Sequence, residues 1–168
     1  EQLLSDTQWK NLDYLIIDLP PGTGDVQLTL AQKIPVSGAI IVTTPQDIAL
    51  LDARKGLKMF EKVEVPVLGI VENMSLHICS KCGNEESIFG EGGGASLANE
   101  SKVDLLGKLP LDISIREQTD TGKPSVINEP DGRIAEIYSE IARKAVGKLA
   151  AQSKDYSSKF PKIVIDNN

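Results

Sequence analysis

Short apolar runs alternate with amphipathic stretches along this chain. The runs are continuously hydrophobic rather than alternating, which is typical of parallel strands covered on both faces. Strands are predicted at residues 13–18, 38–43, 67–71 and 103–109. Helical patterns are predicted at residues 25–34, 47–62, 94–102, 112–118 and 131–151. This order predicts an α/β fold with an open, mostly parallel sheet and helices on both faces.

Composition narrows the class of protein. The chain has 168 residues, of which 40% are hydrophobic and 25% charged, and its net charge is −6. These values fit one globular domain over residues 1–152, followed by a polar, loosely ordered tail at 153–168. No apolar run is long enough to cross a bilayer. The acidic balance argues against nucleic acid or a membrane as a partner.

The two cysteines are the first candidate chemistry. Cys79 and Cys82 form a C-x-x-C pair followed by Gly83, in a loop predicted at residues 75–90. Such a pair in a chain of cytoplasmic character indicates metal or redox chemistry before a structural disulfide. Metal sites of this kind usually take four ligands. A twofold dimer would supply four thiols, and His77 is a possible third ligand in one chain.

The loop after the first predicted strand is the second candidate. Asp18 ends the strand, and the sequence LPPGTGD follows, with Gly22 and Gly24 in it. An acidic residue in this place can hold Mg²⁺ beside a nucleotide, and glycines bring backbone N–H groups close to phosphate. The alternative is a tight turn into a helix capped by Asp25.

These strings together resemble a known family. DYLIIDLPPGTGDVQLTLAQ, with ENMS, the C-x-x-C pair, IFGEGGG and LGKLPLDISIRE, is similar to the Walker B and switch II region and the following segments of the Mrp/ApbC P-loop ATPases. That family is related to MinD, ParA and the nitrogenase iron protein. The resemblance covers roughly residues 2–150 and implies a P-loop NTPase-like fold.

The resemblance also implies roles for individual residues. Asp18 would be the Walker B carboxylate for ATP and Mg²⁺, and the switch that senses the γ-phosphate would comprise Pro21, Gly22, Thr23 and Gly24. The adenine would be read by Asn73 and would lie against Pro110, Leu111 and Asp112.

For the cysteines, the resemblance implies a [4Fe-4S] cluster that bridges two subunits. Cys79 and Cys82 of each copy would bind it, and apo iron–sulfur proteins would be the acceptors. The implied function is an ATP-dependent iron–sulfur cluster carrier. Alternatives are a structural dimer bridged by zinc, a thioredoxin-like redox pair, and a regulatory ATPase of the MinD/ParA kind. The C-x-x-C pair argues against the regulatory ATPase.

A complete P-loop ATPase needs G-x4-G-K-[ST]. The candidates Gly122-Lys123 and Gly147-Lys148 are followed by Pro124 and Leu149 and do not fit. The resemblance places this motif upstream, so we expect a carboxyl-terminal part, incomplete at its amino-terminal side, that alone neither binds ATP tightly nor hydrolyses it. An unpaired strand edge and exposed apolar surface are expected with it. The glycine run at 90–94 predicts a hinge into the next helix.

Overall fold

The computed structural model describes residues 6–19, 29, 34–79 and 81–152. Its elements follow one another in the order expected of an α/β fold. The strands are β1 (Ala39–Thr43), β2 (Val67–Glu72), β3 (His77–Ile78), β4 (Glu85–Glu86) and β5 (Leu105–Lys108). The helices are α1 (Asp47–Lys62), α2 (Gly93–Ser101), α3 (Ile113–Asp120), α4 (Ser125–Asn128) and α5 (Arg133–Ala151).

The main sheet of the described residues has three parallel strands in the order β1-β2-β5. The central strand β2 is buried along nearly its whole length, whereas every second residue of β1 is exposed. Continuous burial of β2 requires cover on both faces. The predicted parallel α/β sheet is therefore confirmed for these strands.

Two helical layers cover the sheet. Helices α1 and α2 pack on one face, where Leu57, Phe60 and Leu97 meet Ile70 of β2. Helix α5 packs on the other face and contacts β2 and β5. Its Ala145 lies in the second core cluster with Val71 of β2, the residue after Ile70. Successive strand residues point to opposite faces, so the helices lie on both sides of the sheet, as predicted.

The prediction of a first strand at residues 13–18 is wrong. This segment has no regular secondary structure, and its side chains are exposed, with Ile16 at 91%. A parallel strand depends on hydrogen bonds from its neighbours and on helices over both faces. No described strand lies alongside residues 13–18, so their hydrophobicity alone does not make them a strand.

Two short elements were missing from the sequence prediction. The antiparallel hairpin β3–β4 has two residues in each strand, and α4 is a single turn. The predicted helix at 25–34 lies largely outside the described residues, and the predicted tail at 153–168 lies wholly outside them. Within the part of the chain that is described, no helix is long and apolar enough to cross a membrane.

Candidate functional site

The carboxyl ends of the three parallel strands meet at one edge of the sheet. The backbone N–H of Asn73 donates to the carbonyl of Thr43 at the end of β1, at 2.7 Å. On the other side, the N–H of Leu109 donates to the carbonyl of Glu72, at 2.8 Å. Ligands of open α/β sheets bind at this edge, and it is the edge where the sequence places Asn73.

Asn73 lies in a tight turn directly after β2. Its Oδ1 accepts a hydrogen bond from the backbone N–H of Met74, at 2.9 Å, and Met74 has a left-handed φ of 55°. Within the described residues its Nδ2 group makes no hydrogen bond. Among the described residues, two donors and one further acceptor position of the amide thus have no partner, which suits the adenine contact that the sequence predicts for Asn73.

The structure brings Asn73 and the predicted segment 110–112 to neighbouring positions. Ser75 donates from both its N–H and its Oγ to the carbonyl of Leu109, each at 3.0 Å. The N–H of Leu111 donates to the carbonyl of Leu76, at 2.8 Å. Two stretches that are 34 residues apart in sequence thus form one paired surface at the strand ends.

Asp112 has a structural task in this arrangement. Its Oδ1 accepts from the backbone N–H of Ser114 at 2.8 Å and from the Ser114 hydroxyl at 2.7 Å. Asp112 is therefore the N-cap of α3, and it satisfies one of the N–H groups that a helix leaves without a partner. The cap also fixes the direction in which the chain leaves the paired surface.

Glu72 is a feature of the site that the sequence analysis missed. It ends β2, is only 1% exposed, and accepts a hydrogen bond from the N–H of Gly94 in the first turn of α2. Its other oxygen lies 3.6 Å from the Lys108 ammonium. Burial of a carboxylate is costly unless it is hydrogen-bonded or paired with a cation. The available signal was an acidic residue closing an otherwise apolar strand.

The two cysteines lie on the turn between β3 and β4. The N–H of Cys79 donates to the carbonyl of Asn84 at 2.9 Å, and the N–H of Gly83 donates to the carbonyl of Cys79 at 2.8 Å. Gly83 has a φ of 70°, which favours glycine. Both thiols are free, Cys79 partly buried and Cys82 exposed.

The surroundings of Cys79 favour its thiolate. Hydrogen bonds from the backbone of Lys81 and then of Cys82 lower the pKa of the Cys79 thiol, and the Cys82 side chain adds to this. Partial burial opposes the effect, and the charge of His77 contributes least. The thiolate is the form that binds metals, so these surroundings suit the ligand role that the sequence predicts for Cys79.

The described part of one chain offers only part of a metal site. Among the described residues, no group of three or more His, Cys, Asp or Glu side chains converges. His77, which the sequence left open as a third ligand, does not join the two thiols in such a group. Its Nδ1 instead lies 3.1 Å from the carbonyl oxygen of Leu111. The hairpin therefore presents two thiols, half of the usual set for zinc or a cluster.

The predicted phosphate and magnesium site is not assembled by the described residues. Asp18 is exposed at the end of an irregular segment. The residues predicted for the switch, Pro21, Gly22, Thr23 and Gly24, lie outside the described part of the chain. Their roles, and that of Asp18, stay predictions.

The glycine run lies between the cysteine hairpin and α2. Gly90 and Gly92 have left-handed φ values of 99° and 72°, and a groove of about 520 Å³ separates the run from the start of α1. Gly94 packs so closely on Glu72 that an added Cβ would lie 2.9 Å from the Glu72 Cβ. The contact with Glu72 holds the carboxyl end of the run, so a hinge, which stays a prediction, would lie before Gly94.

Curated proteins that resemble this chain are named as carriers or transfer proteins of iron–sulfur clusters. The chain is 63% identical over 141 residues to an iron-sulfur cluster carrier protein of Pseudomonas fragi, covering 84% of this chain and 49% of that protein. It is 53% identical over 149 residues to the iron-sulfur cluster transfer protein NUBPL of Mus musculus, covering 89% and 47%. The chain spans about half the length of the curated relatives it matches.

Solved structures agree on the fold. A nucleotide-binding protein from Archaeoglobus fulgidus in complex with ADP is 38% identical, with a TM-score of 0.69 over 82% of this chain and 55% of that one. The cell division ATPase MinD of Pyrococcus furiosus is 26% identical, with a TM-score of 0.52 over 67% and 43%. The model of the ParA family, described as NUBPL iron-transfer P-loop NTPases, matches residues 1–146. The chain therefore belongs to the NUBPL iron-transfer P-loop NTPases of the ParA family.

Proposed function

We propose that the β3–β4 hairpin holds an iron–sulfur cluster as cargo, with Cys79 and Cys82 as its ligands. The observation that carries this proposal is the hairpin itself. It presents two free thiols on one turn, and backbone hydrogen bonds lower the pKa of the Cys79 thiol. Iron–sulfur clusters are held by cysteine thiolates. The names of the relatives, which describe cluster carriers or transfer proteins, support the same cargo.

The proposed cluster is a [4Fe-4S] cluster shared between two copies of the chain. Such a cluster takes four thiolates, whereas the described part of one chain presents two. A twofold axis through the hairpin would place two pairs around one centre, which is the common symmetry of homodimers. The exposed position of Cys82 supports this arrangement, because a bridging ligand has to be reachable from the second subunit.

Release to an acceptor belongs to the same proposal. The cluster would pass to apo iron–sulfur proteins by exchange of thiolate ligands, and exposed thiols are accessible to incoming ligands. A cytoplasmic location suits a pair of free thiols, since disulfides are rare in that compartment.

The proposed role of nucleotide is to set the state of the dimer in the whole protein. Asn73, Pro110, Leu111 and Asp112 would contact the adenine, and the paired backbone of residues 75–76 and 109–111 supports this, since it brings them together. Asp18 with Gly22, Thr23 and Gly24 would act at Mg²⁺ and the γ-phosphate. A water held by the switch would attack the phosphate, and no side chain would act as a covalent nucleophile.

Anaerobic reconstitution tests the cargo. The reduced chain is incubated anaerobically with ferric iron, sulfide and an excess of dithiothreitol, which reduces part of the iron so that a mixed-valence cluster can form. Iron, sulfide and protein are then quantified together with the mass of the complex. We expect a brown protein with about four iron atoms per two chains. Cys79→Ser and Cys82→Ser should each abolish this uptake. Glu85→Ser, a change at an exposed position of the same hairpin, is the matched control and should retain it.

Two outcomes would contradict the proposal. Tight retention of zinc with no uptake of iron would indicate the zinc-bridged dimer. Full iron uptake by Cys79→Ser or Cys82→Ser would show that the hairpin is not the site. Transfer to an apo-acceptor, followed by the recovery of the acceptor's activity, distinguishes a carrier from a protein with a permanent cluster.

A further inference from the structure

His77 makes a side-chain contact that the proposed function does not use. Its Nδ1 lies 3.1 Å from the carbonyl oxygen of Leu111. A carbonyl oxygen only accepts hydrogen bonds, so Nδ1 must carry the proton and donate. The contact therefore fixes the orientation of the imidazole ring, and the protonated Nδ1 has no lone pair left for a metal.

The position of His77 gives this bond its importance. His77 opens β3, pairs with Glu86 of β4, and lies two residues before Cys79. On the other side, Leu111 also donates its N–H to Leu76 at 2.8 Å. One backbone bond and one side-chain bond thus join the base of the cysteine hairpin to the segment proposed to lie against adenine.

We propose that His77 is a positioning residue that holds the cysteine hairpin in register with residues 109–111. This inference deepens the proposed function and rests on it, because the position of the hairpin matters to cargo only if Cys79 and Cys82 bind the cluster. A displacement of Leu111 on nucleotide binding would reach Cys79 through one hydrogen bond and two peptide units. His77 acts through this contact and not as a ligand.

Amide substitutions separate this role from metal binding. In His77→Asn the side-chain nitrogen can occupy the place of Nδ1 and donate to Leu111, whereas in His77→Gln the nitrogen corresponds to Nε2. His77→Ala has no side-chain nitrogen in either place. A positioning role therefore predicts that asparagine restores the wild-type behaviour and that glutamine and alanine do not.

The first readout needs no metal. Amide hydrogen exchange is measured in the reduced, metal-free chain at the N–H groups of Cys79 and Gly83, which are bonded within the hairpin. We expect about fivefold faster exchange in His77→Ala and His77→Gln, the effect of losing one hydrogen bond. His77→Asn should exchange like the wild type. The N–H of Ile70, bonded to Asp104 in the core, reports global stability and should be unchanged in all variants.

The second readout uses the reconstituted protein. Visible circular dichroism reports the surroundings of the cluster, and the rate of iron loss to a chelator reports how firmly it is held. His77→Ala should alter the spectrum and release iron several-fold faster, and His77→Asn should restore both. Unchanged hairpin exchange in His77→Ala would overturn the inference, as would failure of asparagine to restore it. Restoration of iron retention by glutamine alone would indicate a ligand role instead.

The two proposals fail in different ways. If the wild-type chain takes up no iron, the proposed cargo is wrong, but the exchange rates of Cys79 and Gly83 still decide whether His77 positions the hairpin. If iron uptake is normal and the His77 variants behave like the wild type, the cargo stands and the positioning role is wrong.

Discussion

The two cysteines differ in their surroundings although they lie on the same turn. Cys79 is partly buried and receives hydrogen bonds from the backbone of Lys81 and Cys82, whereas Cys82 is exposed. Backbone N–H groups stabilise a thiolate in the same way that they stabilise other anions. The C-x-x-C spacing predicted a pair of ligands, but the difference between them depends on how the turn is closed, which the spacing does not contain.

This difference predicts the reactivity of Cys79. In a metal-free Cys82→Ser variant, the rate of alkylation of Cys79 by iodoacetamide is measured against pH. Because hydrogen bonds lower the pKa of the thiol, the midpoint of this profile should lie below the ordinary range for cysteine. The same variant in concentrated urea is the control, since unfolding removes those hydrogen bonds. Identical midpoints in the folded and unfolded protein would contradict the structure at this residue.

Gly94 lies where the start of α2 packs closely against the end of β2. In Gly94→Ala the new Cβ would lie 2.9 Å from Cβ and Oε2 of the buried Glu72, so one element has to shift. We expect a loss of about 1–3 kcal/mol in the free energy of unfolding, measured by urea denaturation.

Gly147 provides the matched control for that substitution. It lies inside α5, and an added Cβ would meet nothing within 4 Å. Gly147→Ala should therefore raise the free energy of unfolding by about 0.5–1 kcal/mol, because alanine restricts the unfolded chain and favours the helix. A similar loss in both variants would show that the Glu72 contact is not the cause.

At the scale of elements, strong periodicity was the reliable guide. The helix predicted at 47–62 is α1, with the same bounds. Its buried residues are Leu50, Ala53, Leu57 and Phe60, whereas the apolar residues Ile48 and Leu51 are exposed. Apolar residues occupy more of the surface of α1 than the face that packs on the sheet. The periodicity therefore predicted where the helix begins and ends, but not which of its apolar residues are buried.

The β3–β4 hairpin shows what periodicity cannot reach. Its strands are only His77–Ile78 and Glu85–Glu86, which is too short and too polar for any apolar pattern. Residues 75–77, at the base of the hairpin, are hydrogen-bonded to the backbone of Leu109 and Leu111, which lie at least 34 residues further along the chain. Contacts of this kind depend on the fold as a whole, so the sequence predicted the loop at 75–90 but not its shape.

Helix α3 carries a prediction about Asp112. Asp112→Ala removes the N-cap and should lower the free energy of unfolding by about 1 kcal/mol. Asp112→Asn keeps an oxygen that can accept from Ser114 and should lose only a few tenths of that amount. Urea denaturation measures both. If alanine and asparagine destabilise equally, the cap is not what Asp112 contributes to stability.

At the scale of the whole molecule, the sheet was predicted well where each strand has a described neighbour to pair with. Strands β1, β2 and β5 match their predicted runs within two residues at either end. The run at 13–18 has the same hydrophobicity and is not a strand, because no described neighbour pairs with it. The predicted site residues also differ in how far the structure supports their placement. Backbone hydrogen bonds bring the segment after Asn73 beside residues 109–111, whereas Asp18 is exposed and follows no strand.

The incomplete cover of β1 leads to a prediction about association of whole chains. Ala39 and Ile41 face α1, but Ile40 and Val42 lie on the face that carries α5, which packs on β2 and β5. Val42 is 61% exposed, and β1 is an edge strand of the sheet formed by the described residues. An exposed apolar surface beside such an edge favours self-association. Val42→Thr keeps the shape of the side chain and should reduce concentration-dependent light scattering while changing the free energy of unfolding by less than about 0.5 kcal/mol.

Ile41→Thr, one residue away on the buried face, should instead destabilise the chain by about 2 kcal/mol and increase scattering. Equal effects of the two substitutions would show that β1 does not have one covered and one open face.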